Sequence, residues 1–332
     1  MNDVLARGRL GALGDLVGVG GQARVYHLPA LTLADVAGTL VYKEYKPDHR
    51  PQKAGLLSLV AVRGGLNPAD RTRLDRFAAW PLRVVEQAGE VLGVVLPLIP
   101  PRYFQTRVLP GTGAREDNPR EIQNLLIPPE RARMVGMPVP TPAERLALCR
   151  QLAAAVHFVH RHDLVIGDLN AKNALFCVEN DVSVMLVDCD AIRRKGTVAS
   201  RPQMNAPDWD PPERPLSQAT DRYKFGLFVL RCLGSGEQIS TTRDPARADD
   251  ALDAEGRALL RASLSAVPDQ RPSVQRWGTY LHERVTGHRS TLARPPAAPA
   301  GARIPGARQP PLSATRGWTR DPGSGRWVER ST

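Results

Sequence analysis

The stretch "VIGDLNAKNALFCVENDVSVMLVDCD", residues 165 to 190, restricts the fold more than any other part of the chain. Asp168 follows a glycine, and Asn173 comes five residues later. Apolar runs on either side of Asn180-Asp181 then read as two short strands around a turn, ending at a further aspartate, Asp188. Upstream, Thr141 and Glu144 form a capping pattern, and Leu148, Leu152, Val156 and Val159 make one apolar stripe. A long helix therefore delivers the chain to Asp168. Such a loop can aim Asp168 at a substrate hydroxyl, and Asn173 and Asp188 at one cation. A carboxylate and an amide suit Mg²⁺, which prefers a few protein oxygens plus phosphate oxygens to a full protein cage.

The segments before this stretch have a different periodicity. "LVGVGGQARVYHL" reads as strand, glycine turn, strand; "GTLVYKEYK" continues as a strand; "PLRVVEQAGEVLGVVLPLI" is a hairpin about Gln-Ala-Gly-Glu. One helical stretch interrupts them between about Lys53 and Phe77. Pro97, Pro100 and Pro101 punctuate the chain and mark a boundary near residue 99. Residues 102–140 are polar and proline-bearing, with a short helix expected over Arg120 to Leu126. From about Asp221 to Thr286 the pattern is helical.

The 332 residues, 42% hydrophobic, suffice for two lobes. Apolar runs such as Val91 to Ile99 fall far short of the ~20 residues that cross a bilayer, and the amino terminus lacks a secretory pattern. A soluble cytoplasmic protein without a membrane partner is expected. Four widely spaced cysteines with no CxxC pair indicate reduced thiols rather than disulfides or zinc. The net charge of +11 is concentrated at the end, where eight arginines from Arg289 onward meet only Asp321 and Glu329. That Pro/Gly-rich segment, 289–332, reads as a flexible basic arm available to a partner protein. Scattered arginines in a linker do not make a specific nucleic-acid site, so none is expected. Trp318 and Trp327 flank a turn sequence and read as a small terminal hairpin.

Taken together, the motifs resemble those of protein kinases, in the order in which that family carries them. "VIGDLNAKNALF" is similar to the catalytic loop, which implies Asp168 as catalytic base and Asn173 as a metal ligand. "LVDCDAI" resembles the metal-binding segment and implies Asp188 as the other ligand. "VGVGGQARV" is similar to the glycine-rich loop, implying nucleotide contacts from Gly18, Gly20, Gly21 and Val25, with Ala23 at the third glycine position. "LVYKEY" makes Lys43 the phosphate-binding lysine. "PPERP" and "DQRP" offer Glu213 and Arg271 as a structural pair, and "DRYKFG" resembles the start of the large central helix. The resemblance covers residues 14–286 and is nearest to divergent bacterial Ser/Thr kinases with a GDLNxxN loop. It implies an α+β, bilobal protein kinase-like fold: a small antiparallel β-sheet N-lobe over 1–99 and a mostly helical C-lobe over 100–288. It also implies ATP with Mg²⁺, or Mn²⁺ in its place, and a protein substrate, the chain itself included.

Three departures bear on activity. Gly167 stands where regulated kinases carry arginine. Asp190 replaces a glycine and is either a further Mg²⁺ ligand or a solvated side chain. No glutamate lies in "QKAGLLSLVAVRGGLNP", the helix that pairs with Lys43 in the family; Asp70 or Asp75 is the substitute if the helix is shifted. A pseudokinase scaffold and a small-molecule phosphotransferase are therefore the alternatives. Autophosphorylation is expected in the basic segment 191–205, which carries the Thr197 and Ser200 hydroxyls, or in the tail.

Overall fold

The structure, a computed structural model, describes residues 3–108, 115–197, 207–289, 318–320 and 327–329. Six strands form the first sheet: β1 (Val4–Ala6), β2 (Leu16–Val19), β3 (Ala23–Leu28), β4 (Leu40–Tyr45), β5 (Arg83–Gln87) and β6 (Glu90–Pro97). Their order is β1-β5-β6-β4-β3-β2. All neighbours run antiparallel except β1, which lies parallel beside β5 at the sheet edge. The β5–β6 turn places Ala88 at φ 51° and Gly89 at φ 82°, the two left-handed positions of a tight hairpin.

Side chains of β4 alternate. Val41 and Tyr45 pack on the face that meets Leu56 and Val60 of α1 (Lys53–Gly65), whereas Leu40 and Tyr42 enter the opposite cluster with Leu28 and Leu82. Lys43 shares the α1 face. Gly93 of β6 holds that strand close to β4, because a Cβ there would lie 2.2 Å from the Lys43 carbonyl oxygen. The single expected helix over 53–77 is two, since Leu66-Asn67-Pro68 stops α1 and starts α2 (Pro68–Phe77) with Asn67 as its cap.

The short helix expected near Arg120 to Leu126 is confined to a 3-10 turn at Ile122–Leu125 and does not include Arg120. Before that turn β7 (Phe104–Val108) pairs with β8 (Arg115–Pro119), and Arg120 N–H donates to the Tyr103 carbonyl. After a short α3 (Pro129–Met134), the capping box of Thr141 and Glu144 opens α4 (Pro142–Arg161). Leu148, Leu152, Val156 and Val159 on α4 are fully buried against α5 (Gln218–Leu233) and α7 (Val274–Arg289). Between α4 and α5 lie β9 (Leu164–Val165), the hairpin β10 (Ala174–Cys177) and β11 (Ser183–Leu186), and β12 (Arg193–Arg194), which pairs with β9. α6 (Ala254–Ser263) precedes α7. Trp318–Arg320 (β13) pairs antiparallel with Trp327–Glu329 (β14), the terminal hairpin anticipated from sequence. Ser200 and most of the basic arm lie outside the described residues. Among those described, no helix is long and apolar enough to cross a membrane.

Glu213 and Arg271 form the expected ion pair: Arg271 Nη1 and Nη2 donate to the two carboxylate oxygens at 2.6 and 2.8 Å. Burial would raise the Glu213 carboxyl, but the Arg271 hydrogen bonds outweigh it and hold it below the ordinary 4.5. A depressed carboxylate stabilises the fold above pH 4.5 and loses that contribution as pH falls through the depressed value. Urea denaturation of wild type and Glu213→Gln should therefore show a stability gap at neutral pH that closes on acidification. Arg271→Ala, which strips a wholly buried guanidinium, should cost more, about 3–5 kcal/mol.

Candidate active site

The Asp168 loop is built on a buried carboxylate. Ile166 and Gly167 have no sheet partner for their N–H groups, and Asp221, fully buried on α5, accepts both at 2.8 Å. His160, at the end of α4, meets Asp221 Oδ2 at 3.0 Å. Gly167 has φ +71°, a conformation that disfavours a side chain and suits glycine. The Gly167 carbonyl accepts from Lys224 Nζ at 2.6 Å, so one turn of α5 grips the loop from below with Asp221 and Lys224.

Asp168 itself is clamped by two amides. Asn170 Nδ2 donates to Oδ1 at 2.8 Å, and Asn173 Nδ2 donates to Oδ2 and to the Asp168 carbonyl, both at 2.9 Å. None of these bonds uses Asn173 Oδ1. Burial pushes the Asp168 carboxyl above the ordinary aspartate value; the amides and the Lys224 charge oppose this, and the Asp188 charge adds to it. The Asn173 carbonyl accepts from Val187 N–H at 3.0 Å, which ties the loop to the residue before Asp188.

Asp188 ends this hairpin in the left-handed region, φ 55° and ψ 35°, uncommon for any residue with a side chain. A tight turn over Cys189–Ala191 follows, so two aspartates of one short segment reach Lys43. Lys43 Nζ lies 3.1 Å from Asp188 Oδ1, and 2.8 and 3.0 Å from the two oxygens of Asp190. The Asp188 side chain is 61% exposed and that of Asp190 only 8%. Tyr45 Oη donates to Asp190 Oδ2 at 2.6 Å. Burial would lower the Lys43 ammonium, but Asp190 first and Asp188 second hold it above the ordinary lysine value. Burial would likewise raise Asp190, and Lys43 and Tyr45 instead hold it below the ordinary aspartate value.

This geometry replaces two expectations. Asp190 is neither solvated nor directed at a cation, because both its oxygens are taken by Lys43 and one also by Tyr45. Asp70 and Asp75 do not reach Lys43: Asp70 pairs with Arg161, and Asp75 with Arg63, whose other partner is Asp35. Asp190 is the residue that sequence reading missed as the partner of Lys43, and only its acidic character in place of glycine signalled it.

Gly18, Gly20 and Gly21 lie in the β2–β3 hairpin. Gly20 N–H donates to the Ala23 carbonyl at 2.9 Å, and Gly18 pairs with Val25. None of the three needs a left-handed backbone. A Cβ would find its nearest neighbour at 3.7 Å at Gly18 and 3.8 Å at Gly20, with nothing within 4 Å at Gly21. Neither conformation nor packing within the chain calls for glycine there. Leu16, Val17 and Val19 on β2 are meanwhile 51%, 50% and 67% exposed. The hairpin thus presents apolar side chains and bare backbone outward.

A divalent cation fits the donors present. The open carboxylate of Asp188 and Asn173 Oδ1 are hard oxygens on residues joined through Val187, and among the described residues no group of three or more His, Cys, Asp or Glu converges on a metal.

No family model matches the chain. It is 32% identical over 116 residues to a serine/threonine-protein kinase-like protein of Arabidopsis thaliana, covering 33% of each chain. It is also 32% identical over 111 residues to serine/threonine-protein kinase SBK2 of Mus musculus, covering 31% of this chain and 30% of that one. To serine/threonine-protein kinase 17A of Oryctolagus cuniculus it is 35% identical over 88 residues, 25% and 22% of the two chains. The matches thus span about a third or less of these curated relatives.

Because Asp221 is the sole side-chain acceptor for Ile166 and Gly167, Asp221→Ala should cost about 3–5 kcal/mol, with Asp221→Asn closer to about 1–3. Amide exchange at Ile166 and Gly167 should lose its protection in both variants; protection unchanged from wild type would show that the loop is held some other way. With its antiparallel-rich sheet and helical second part consistent with a bilobal kinase-like fold, the chain is supported by these matches as kinase-like in family.

Proposed function

We propose that the chain is an ATP- and Mg²⁺-dependent protein kinase that transfers the γ-phosphoryl group to serine or threonine hydroxyls, its own included. The observation that carries this reading is the Asp168–Asn173 couple. One amide holds the carboxylate that would face the hydroxyl, while its free oxygen would face the cation. Phosphoryl transfer depends on positioning and charge stabilisation more than on covalent chemistry, and a clamped base beside a cation-facing oxygen meets that demand.

In this reading Asp168 accepts the proton of the attacking hydroxyl, its raised carboxyl making it a better acceptor than a solvated aspartate. Asn173 Oδ1 and Asp188 hold Mg²⁺, which supplies charge neutralisation at the phosphate oxygens when bound. Lys43, held from behind by Asp190, presents its ammonium to the phosphates. The bare backbone at Gly20 and Gly21 lets the β2–β3 hairpin approach them closely, and Leu16 and Val25 offer apolar contact to the base. Kinase names among the relatives support a protein acceptor. The Thr197 hydroxyl, exposed beside β12, is a candidate self-acceptor.

Radiolabelled ATP with Mg²⁺, offered a generic basic protein and a panel of small alcohols, tests the proposal. Label should appear on protein and fall by about 10²–10⁴-fold in Asp168→Asn. Label on a small alcohol alone would replace the reading with small-molecule phosphotransfer, and nucleotide binding without turnover would replace it with a scaffold. Gly21→Ala should leave the melting temperature unchanged, since its Cβ meets nothing within 4 Å, yet raise KM for ATP.

A further inference from the structure

Kinase-like resemblance calls for an acidic residue on the helix that faces Lys43. α1 contains no aspartate or glutamate, and its inward positions are Leu56, Leu59 and Val60, all buried. A buried ammonium cannot stay charged beside such a surface without a carboxylate close by. The structure supplies one from the other side. Asp190 brings both oxygens to within 3.0 Å of Lys43 Nζ and is fixed by the Tyr45 hydroxyl, two residues along β4 on the same face.

We propose that Asp190 is the positioning residue for Lys43 and takes the place of the helix-borne acid. The proposal rests on reading this site as one that handles nucleotide phosphate. Two carboxylates then divide one task. Asp190, buried, neutralises and aims the ammonium; Asp188, mostly exposed, touches it with one oxygen and keeps its outward side for a cation. If Asp190 were absent, Lys43 would draw Asp188 inward as its only carboxylate partner and compete with the cation for it. Both functions also sit within three residues of one segment, so the lysine follows that segment and not α1. The anchors of α1 lie elsewhere: Arg63 to Asp35 and Asp75, the Leu59 carbonyl accepting from Trp80 Nε1, and Lys53 to Glu86. α1 also meets the segment past Asp190, where Ser58 Oγ accepts from Arg194 Nε, but the groups that hold Lys43 Nζ, Asp188 and Asp190, lie outside α1.

A double-mutant cycle on the full chain tests this, using wild type, Asp190→Asn, Lys43→Met and the double variant, with Tyr45→Phe as a milder probe that removes one hydrogen bond. The readouts are kcat and KM for MgATP over a Mg²⁺ titration, MgATP affinity by calorimetry, and the melting temperature. Asp190→Asn should lower kcat/KM by about 10–100-fold, and Tyr45→Phe should move it in the same direction by less. The double variant should match Lys43→Met within about twofold, because a residue that acts through Lys43 has nothing left to act on. Additional Mg²⁺ should not restore Asp190→Asn. The proposal falls if Asp190→Asn behaves as wild type, if the two effects multiply in the double variant, or if high Mg²⁺ restores activity, which would make Asp190 a metal ligand. Should wild type bind MgATP without turnover, the calorimetric affinities run through the same cycle and decide the matter alone. A wild type that neither binds nor turns over MgATP overturns the functional reading and this inference with it.

Discussion

Asp221 is wholly buried, accepts from the Ile166 and Gly167 N–H groups and meets His160 Nε2, and the placement of the Asp168 loop follows from that. Two backbone N–H groups in an irregular loop must find acceptors or cost a full desolvation penalty each, and one carboxylate on the most buried helix satisfies both. Lys224, one turn further along α5, takes the Gly167 carbonyl from the same side. The loop is thereby fixed to a rigid element at both its donor and its acceptor groups. Asp168 inherits that rigidity directly, and Asn173 inherits it through Asp168. This is why α5 tolerates an aspartate, a lysine and an arginine with no solvent contact: each caps backbone that no strand or helix could satisfy.

The sheet contributes a second fixed point, Lys43, and the two are joined by short links. Ala79 N–H donates to the Leu186 carbonyl at 2.9 Å, Arg194 Nε meets Ser58 Oγ at 2.9 Å, and Arg161 pairs with Asp70. The Lys43–Asp190 ion pair is more buried than the Arg161–Asp70 pair. A pair of this kind adds little net stability, since desolvation offsets most of the attraction, but it defines one geometry, because a displaced partner would strand a charge in a low-dielectric site. Its value lies in placing an ammonium, not in holding the fold.

Much of this could be read from the sequence because it was written in local patterns. The capping box at Thr141, the hairpins at Ala88-Gly89 and Asn180-Asp181, and the alternation along β4 are each decided within a few residues. Long-range choices were not legible. Arg120 reads as helix by its neighbours, yet its carbonyl accepts from Phe176 and its guanidinium reaches Gln105 and Glu179, contacts that exist only after β7–β10 assemble. Asp190 is the sharpest case. Whether an acid two residues after Asp188 faces water, a cation or a lysine depends on a left-handed turn at Asp188 and on a tyrosine 145 residues away. Neither signal is local to it.

Several residues of the candidate site break ordinary rules. Asp188 adopts a conformation that side chains disfavour, burial and then the Asp188 charge make Asp168 costlier to ionise, three apolar residues of β2 face outward, and glycines stand where a Cβ would meet no close neighbour. A chain selected for stability alone would remove each of these at small cost. The proposed function offers each a ligand-side explanation: a cation at Asp188 and Asn173 would offset the negative charge near Asp168, a flat apolar ring would cover exposed leucine and valine, and a phosphate would need bare backbone to come close. These exceptions agree with one another under the proposed occupant, a metal-bound nucleotide.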